Sequence, residues 1–151
     1  DSVADRFLSL GLTNNSHAVA CPAALAVFNI YENDQLNSNA EQIDFYTDAC
    51  MKKLIDKHPC IVDWRNTGML GCLELVKNQD TKEPMAPFNV SPSELSIMDK
   101  VVGKLRKLGM LTYTKWNYVF VAPPLTAKKE EIDEGLEIIS KALLIADEYC
   151  Y

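Results

Sequence analysis

Few side chains in this sequence are placed to do chemistry on their own. The 151 residues contain no glycine-rich phosphate loop, no Gly-x-Ser-x-Gly turn and no pair of histidines at metal-ligand spacing. Asp63, Glu74 and Glu83 are scattered carboxylates, and each is expected to be a solvated or capping group. The charged run from Lys128 to Glu134 is expected to form the solvated start of a helix. Residue chemistry alone therefore indicates only a soluble α+β domain.

The cysteines and histidines do not form a recognisable metal or disulfide pattern. The five cysteines are odd in number and contain no Cys-x-x-Cys pair; they are Cys21, Cys50, Cys60, Cys72 and Cys150. This spacing argues against a disulfide framework and a zinc site, and His17 and His58 are too few for a histidine-rich metal centre. We expect most of the cysteines to be small buried hydrophobic residues.

Charge and hydropathy exclude several classes of partner. Fifteen Lys and Arg residues against 21 Asp and Glu residues give a net charge of −6, and no basic block is long enough to follow a phosphate backbone. No apolar run approaches the roughly 20 residues that span a bilayer. The sequence therefore predicts a cytoplasmic protein that binds neither nucleic acid nor membrane.

The spacing of apolar residues predicts elements in the order ααββαββα. Helices are predicted over residues 16–32, 39–57, 91–108 and from Thr126 onward, with a short separate helix over residues 1–10. Strands are predicted over residues 60–64, 68–77, 110–114 and 118–122, joined in pairs across residues 65–67 and 115–117. Residues 78–91 are predicted to form a long loop. This is an α+β pattern, most simply a small antiparallel sheet of three or four strands covered on one face by helices.

Capping residues set the predicted helix starts. Ser38 and Glu41 have the spacing of a capping box, Ser91 with Pro92 is typical of an N-cap followed by a first-turn proline, and Thr126 is predicted to cap the last helix. Pro22 fits only within a first turn or at a kink.

Four segments, in order along the chain, resemble the class III pyridoxal-phosphate-dependent aminotransferases. They are Gly-Leu-Thr-Asn-Asn-Ser-His at residues 11–17, Trp-Arg-Asn-Thr-Gly-Met-Leu-Gly at 64–71, Thr-Lys-Glu-Pro at 81–84, and Ala-Pro-Pro-Leu-Thr at 122–126 followed by Glu-Glu-Ile-Asp-Glu at 130–134. The likeness covers residues 1 to about 148. Two departures are Ala18, where the family has proline, and Asn14, where it has an aromatic residue.

The resemblance implies the C-terminal domain of a fold type I transferase. Residues 1–15 would be an entry segment from a missing N-terminal large domain, and residues 16–151 the C-terminal domain. The cofactor would be pyridoxal 5'-phosphate, bound to a lysine of the large domain in a homodimer. No lysine here matches that residue, so we assign no catalytic residue and expect the chain alone to be inactive.

The resemblance also implies candidate site residues. Thr13 would give its hydroxyl to the cofactor phosphate of the opposite subunit; the alternative is that it only caps the next helix. Phe120 stands where members that use α-carboxylates often have an arginine, which would hold the carboxylate by two bonds. Arg65 and Trp116 are further candidates for contact with substrate, although each could instead be structural. His17 is expected to be a helix-entry residue.

The implied reaction moves an amino group from an amine or omega-amino acid donor to a keto acid such as pyruvate. Within the family the alternative is an aminomutase, racemase or decarboxylase, because a shared fold does not determine the reaction. From another class, the alternative is a non-catalytic α+β binding module.

Overall fold

The computed structural model describes Gly11, residues 13–89, Ser91 and residues 96–151. The chain divides into two compact units, residues 1–36 and residues 37–151. The predicted helix over residues 1–10 lies outside the described residues, and so do residues 92–95, where the third long helix is predicted to start. The predicted boundary between residues 15 and 16 stays a prediction.

Helices and strands occur in the predicted order, with one additional short strand. The helices are α1 (Ala20–Asn33), α2 (Leu36–Lys57), α3 (Ser96–Lys107) and α4 (Lys129–Asp147). The strands are β1 (Ile61–Thr67), β2 (Leu70–Asn78), β3 (Glu83–Pro84), β4 (Thr114–Lys115) and β5 (Tyr118–Val121). Pro22 is the third residue of α1 and so lies in a first turn, as predicted.

The strands form one antiparallel sheet in the order β1-β2-β5-β4. β2 is central: it pairs with β1 on one side, and on the other side with β5 and then, further along, with β3. In this register Leu73 lies opposite Val119, and Cys72 lies opposite Phe120. The predicted small antiparallel sheet is confirmed.

Alternation along the strands separates a buried face from an open face. Leu73, Leu75 and Val119 are at most 1% exposed and belong to a core with side chains of α2, α3 and α4. Cys72 and Phe120 alternate with these residues and are only partly buried. The helices of the second unit therefore cover one face of the sheet, as predicted.

Two-residue turns connect the strand pairs, where the sequence predicts three-residue connections. Gly68 and Met69 join β1 to β2, with Gly68 at φ +54°. Trp116 and Asn117 join β4 to β5, with Trp116 at φ +52°. A non-glycine residue rarely adopts this left-handed conformation, so the shorter second turn is not evident from the sequence.

The predicted starts of the first two helices are wrong by a few residues. α1 begins at Ala20 rather than Ser16, since Ser16 has φ +57° and cannot continue a right-handed helix. α2 begins at Leu36, so Ser38 lies inside the helix and is not its cap.

The start of α4 and the loop after β2 also differ from the prediction. Lys128 is the N-cap of α4, and its backbone N–H donates to the Glu131 carboxylate at 2.9 Å, so Thr126 is not the cap. Residues 78–91 include β3 and are not entirely loop.

The five cysteines are free thiols, and the expectation that most are buried is wrong. Only Cys60 is fully buried, Cys21 is exposed, and the other three are partly buried. Within the described residues, no group of three or more His, Cys, Asp and Glu side chains is arranged to hold a metal ion. No described helix is both long enough and apolar enough to cross a bilayer.

A buried histidine links the end of α2 to α4. His58 is fully buried; its Nδ1 lies 2.6 Å from Asp147 Oδ2 and its Nε2 lies 2.8 Å from Ser140 Oγ. Lys57 Nζ donates to the same Ser140 Oγ at 2.7 Å. Because a carboxylate can only accept, Nδ1 of His58 donates to Asp147. The backbone N–H of Cys60 donates to the other Asp147 oxygen at 3.2 Å.

We predict that His58→Leu lowers the free energy of unfolding by about 3 kcal/mol, because Ser140 and Asp147 each lose a hydrogen bond to the buried imidazole. Urea denaturation followed by circular dichroism measures the change. The control is Lys52→Ala, which removes an exposed i,i+4 ion pair with Asp48 and should leave the midpoint in place. Equal midpoints for both variants would contradict this role of His58.

Candidate functional site

The open face of the sheet carries a row of charged and aromatic side chains. By strand alternation it presents Arg65 of β1, Glu74 of β2, and Tyr118 and Phe120 of β5. Glu74 pairs with Tyr118 across the β2–β5 ladder. Two of the three predicted substrate-contacting residues, Arg65 and Phe120, therefore lie on the same face.

Arg65 is held by the carboxylates beside it. Its Nη2 lies 2.7 Å from Glu74 Oε2, its Nη1 lies 3.5 Å from Asp63 Oδ2, and its guanidinium carbon lies 5.9 Å from the centre of the Tyr118 ring. Partial burial acts to lower the pKa of Arg65, but the hydrogen bond and charge of Glu74, together with Asp63, raise it overall. The guanidinium is thus already paired, in a cluster whose net charge is negative.

Phe120 forms an aromatic pair that the sequence analysis missed. The rings of Tyr113 and Phe120 lie 5.2 Å apart at 55°, and the Phe120 N–H donates to the Tyr113 carbonyl at 3.0 Å. The predicted three-residue turn would have placed Thr112 opposite Phe120. The actual two-residue turn shifts the register by one position and brings Tyr113 there. The pair, with Tyr113 exposed and Phe120 half-buried, forms an apolar surface with one phenolic hydroxyl.

Trp116 lies at the β4–β5 turn, where it contacts another loop. Its ring is 4.2 Å from the ring of Phe88, and Lys115 Nζ lies 4.6 Å from its centre. The adjacent Asn117 is buried and binds β2, since its side-chain amide donates to the Leu75 carbonyl at 3.0 Å. These contacts show a packed turn, so contact of Trp116 with a substrate stays a prediction.

Thr13 belongs to the first unit and lies in an irregular turn. The side chain is exposed, and the neighbouring Asn14 has φ +66°, a conformation that asparagine tolerates better than most residues. In the part of the chain that the structure describes, Thr13 makes no hydrogen bond.

The N-cap residue of α1 is Val19, and the side chain that contacts the start of the helix is that of His17. The Nδ1 atom of His17 accepts the N–H groups of Val19 and Ala20 at 3.2 and 3.4 Å. These contacts are those expected of a helix-entry residue at His17, and the N-cap position is held by Val19. The N–H groups of Val19 and Ala20 at the start of α1 already donate to His17 and are not free for a phosphate. The prediction for Thr13 therefore depends on its hydroxyl.

The hydroxyl of Thr13 is a donor group of the kind that binds phosphate. An exposed hydroxyl can donate to a phosphate oxygen. Thr13 could therefore hold the phosphate of pyridoxal 5'-phosphate without displacing a bond of the fold.

The antiparallel sheet with helices on one face places the chain in the α+β class. The chain belongs to the class III aminotransferase family: the family described as "Aminotransferase class-III" matches residues 1–143. The resemblance identified from the sequence motifs is confirmed.

Relatives and solved structures agree with this assignment. The chain is 33% identical over 133 residues to gamma aminobutyrate transaminase 2 of Solanum lycopersicum, covering 88% of this chain and 28% of the relative. It is 31% identical over 131 residues to a leucine/methionine racemase of Thermococcus litoralis, covering 86% and 28%. A solved taurine:2-oxoglutarate aminotransferase from Bifidobacterium kashiwanohense, in complex with PLP and glutamate, superposes with a TM-score of 0.82 at 30% identity, covering 96% of this chain and 32% of that one. The chain thus spans less than a third of each of these proteins.

Gly71 determines how the β1–β2 hairpin packs beneath Arg65. A Cβ atom at Gly71 would lie 1.8 Å from Cη2 of Trp64, so the Trp64 ring occupies the space that a side chain would need. We predict that Gly71→Ala displaces this ring, lowers the free energy of unfolding by about 1–3 kcal/mol and shifts tryptophan emission to longer wavelength.

Gly103 in α3 is the matched control, since no atom lies within 4 Å of a Cβ built there. Gly103→Ala should keep or raise stability because alanine favours helix. If both substitutions had the same effect, the close packing of Trp64 on Gly71 would be refuted.

Proposed function

We propose that this chain is the C-terminal part of a pyridoxal-phosphate-dependent aminotransferase. The enzyme would move an amino group from an amine or omega-amino acid to a keto acid such as pyruvate. The chain would work in the cytoplasm as part of a homodimer, joined to an N-terminal large domain that carries the lysine for the cofactor. None of Lys52, Lys53, Lys100 and Lys115 would take that role.

The observation that carries this proposal is the open face of the sheet in a chain of this family. A sheet face with one exposed ring, one half-buried ring and an ion-pair cluster is suited to close one side of a cleft, whose other side would be formed by the part of the protein beyond this chain. Water excluded by the rings would strengthen polar interactions within such a cleft.

Thr13 would hold the cofactor phosphate of the opposite subunit. Its hydroxyl makes no bond to the described residues and would donate to a phosphate oxygen. When bound, pyridoxal phosphate supplies an electron sink for removing the proton next to the amino group. The contribution of Thr13 is to orient that group, and this makes dimerisation part of the activity.

The paired state of Arg65 supports selection against α-carboxylates on this wall of the cleft. Because Glu74 and Asp63 already bind the guanidinium, it would have to exchange an existing partner for a substrate carboxylate. Tyr113 and Phe120 offer apolar ring surface to the substrate. The proposed donor is therefore an amine whose side chain is apolar near the reacting carbon. Trp116 would lie at the entrance to the cleft.

The first test is expression of a longer polypeptide that includes the large domain. We predict that it retains pyridoxal phosphate, seen as absorbance of the bound cofactor in the visible range, and that residues 1–151 alone do not. A longer polypeptide that purifies folded but binds no cofactor would end the proposal. An assay with an arylalkyl amine and pyruvate then tests whether the longer polypeptide transfers the amino group.

The second test is Thr13→Val in the longer polypeptide. Loss of one charge-assisted hydrogen bond is expected to weaken pyridoxal phosphate binding about tenfold, measured by equilibrium dialysis. Thr126→Val, at another exposed threonine, is the control and should bind normally. Unchanged affinity in the Thr13 variant would remove the assignment of this residue.

The third test concerns donor choice. Phe120→Arg should raise the ratio of kcat/KM for an α-amino acid such as alanine over that for 1-phenylethylamine by about tenfold, because it introduces an unpaired guanidinium. Phe120→Leu removes the ring without adding charge and should leave alanine no better used. A rise of the same size in both variants would show that lost bulk, not carboxylate binding, is the cause.

Similarity to a racemase makes racemisation a second candidate reaction within the family. An aminomutase or a decarboxylase is a further alternative, because a shared fold does not determine whether a proton or a carboxylate moves. A racemase would invert an amino acid without any keto acid present. Optical rotation measured with and without pyruvate separates the two reactions. Activity in neither assay, from a protein without cofactor, would favour a non-catalytic binding module.

A further inference from the structure

A cavity lies between α4 and the segments on either side of the β4–β5 hairpin. Its volume is about 250 Å³. Its lining is largely apolar and includes Met110, Leu111, Pro123, Leu136 and Ile139, with Phe120 along one side. An apolar cavity of about 150 Å³ is large enough for benzene, so this one has room for a ring with a short chain.

Gly135 lines this cavity. It lies within α4, where glycine weakens a helix relative to alanine. A Cβ atom at Gly135 would have its nearest contact at 3.4 Å, with Cε of Met110, which is an ordinary van der Waals distance. Packing among the described residues therefore does not require glycine at this position, whereas a larger side chain would fill the cavity.

Glu131 gives the cavity a single charge. Among the described residues that line it, Glu131 is the only ionisable one. Its Oε2 accepts the Lys128 backbone N–H at 2.9 Å, which leaves the second oxygen able to accept another hydrogen bond. The nearby Lys129 extends toward Tyr46, with Nζ 5.3 Å from the ring centre, and so does not neutralise Glu131.

We propose that this cavity binds a primary arylalkyl or alkyl ammonium ion, with the apolar body beside Gly135 and the ammonium group on Glu131. Apolar walls with one acceptor-only group select a ligand that is apolar at one end and cationic at the other. The site lies wholly within residues 37–151 and needs no cofactor. It goes beyond the proposed function and does not depend on it.

The test uses the 151-residue chain and phenethylamine. Titration followed by methyl NMR should shift the Met110 and Leu136 signals, with a dissociation constant at least about tenfold lower than that of the neutral isostere 2-phenylethanol. The anion 3-phenylpropanoate should bind more weakly than the alcohol. Glu131→Gln should bring the amine to the level of the alcohol.

Gly135→Leu should abolish binding of both ligands while the unfolding midpoint stays or rises, since leucine is the better helix former. If that variant does not fold, Gly135→Ala replaces it. We expect Gly135→Ala to lower amine affinity several-fold without lowering the unfolding midpoint. Three results would each overturn the proposal. They are equal binding of amine and alcohol, NMR shifts confined to residues away from the cavity, and no shift at about 10 mM phenethylamine. None of these outcomes affects cofactor binding, so failure here is distinguishable from failure of the proposed function.

Discussion

The structure of the second unit depends on the alternation of side chains along β2. Leu73 and Leu75 point into the core, while Cys72 and Glu74 point to the open face. Because β2 is paired on both sides, its register determines which residues of β1 and β5 share each face. A slip of one residue would place charged groups against the helices, at a cost of several unpaired buried polar groups. The arrangement of Arg65, Glu74 and Phe120 is therefore a consequence of core packing.

Polar anchors at the ends of the strands prevent such a slip. Asn117 exchanges two hydrogen bonds with Leu75, one from its side-chain amide and one through its backbone carbonyl, which accepts the Leu75 N–H at 2.9 Å. At the other end, His58 and Asp147 tie the start of β1 to the end of α4. These groups are buried or nearly so, and each has a partner that a shifted register would remove. Hydrophobic burial stabilises the sheet, while these bonds select one register.

Much of the fold could be predicted from the sequence, because apolar periodicity and order along the chain are local signals. The candidate site was less predictable. The pairing of Tyr113 with Phe120 depends on the left-handed backbone of Trp116, which no residue preference indicates. Ser38 and Thr126 match the chemistry of helix caps, yet α2 begins before Ser38, and α4 begins after Lys128. The pairing of Arg65 with Glu74 depends on the register across β1 and β2, which the sequence does not specify.

The charge state of the open face connects the fold to the choice of substrate. A guanidinium without a carboxylate partner on this face would attract any carboxylate. Such a guanidinium is what the likeness to family members that use α-carboxylates would lead one to expect. Here two carboxylates lie beside one guanidinium, so the cluster carries a net negative charge. The neighbouring rings of Tyr113 and Phe120 add apolar contact without charge. In the proposed function, discrimination against carboxylates would follow from the pairing of β1 with β2, which sets Arg65 beside Glu74. Acceptance of apolar groups would follow from the pairing of β4 with β5, which sets Tyr113 beside Phe120.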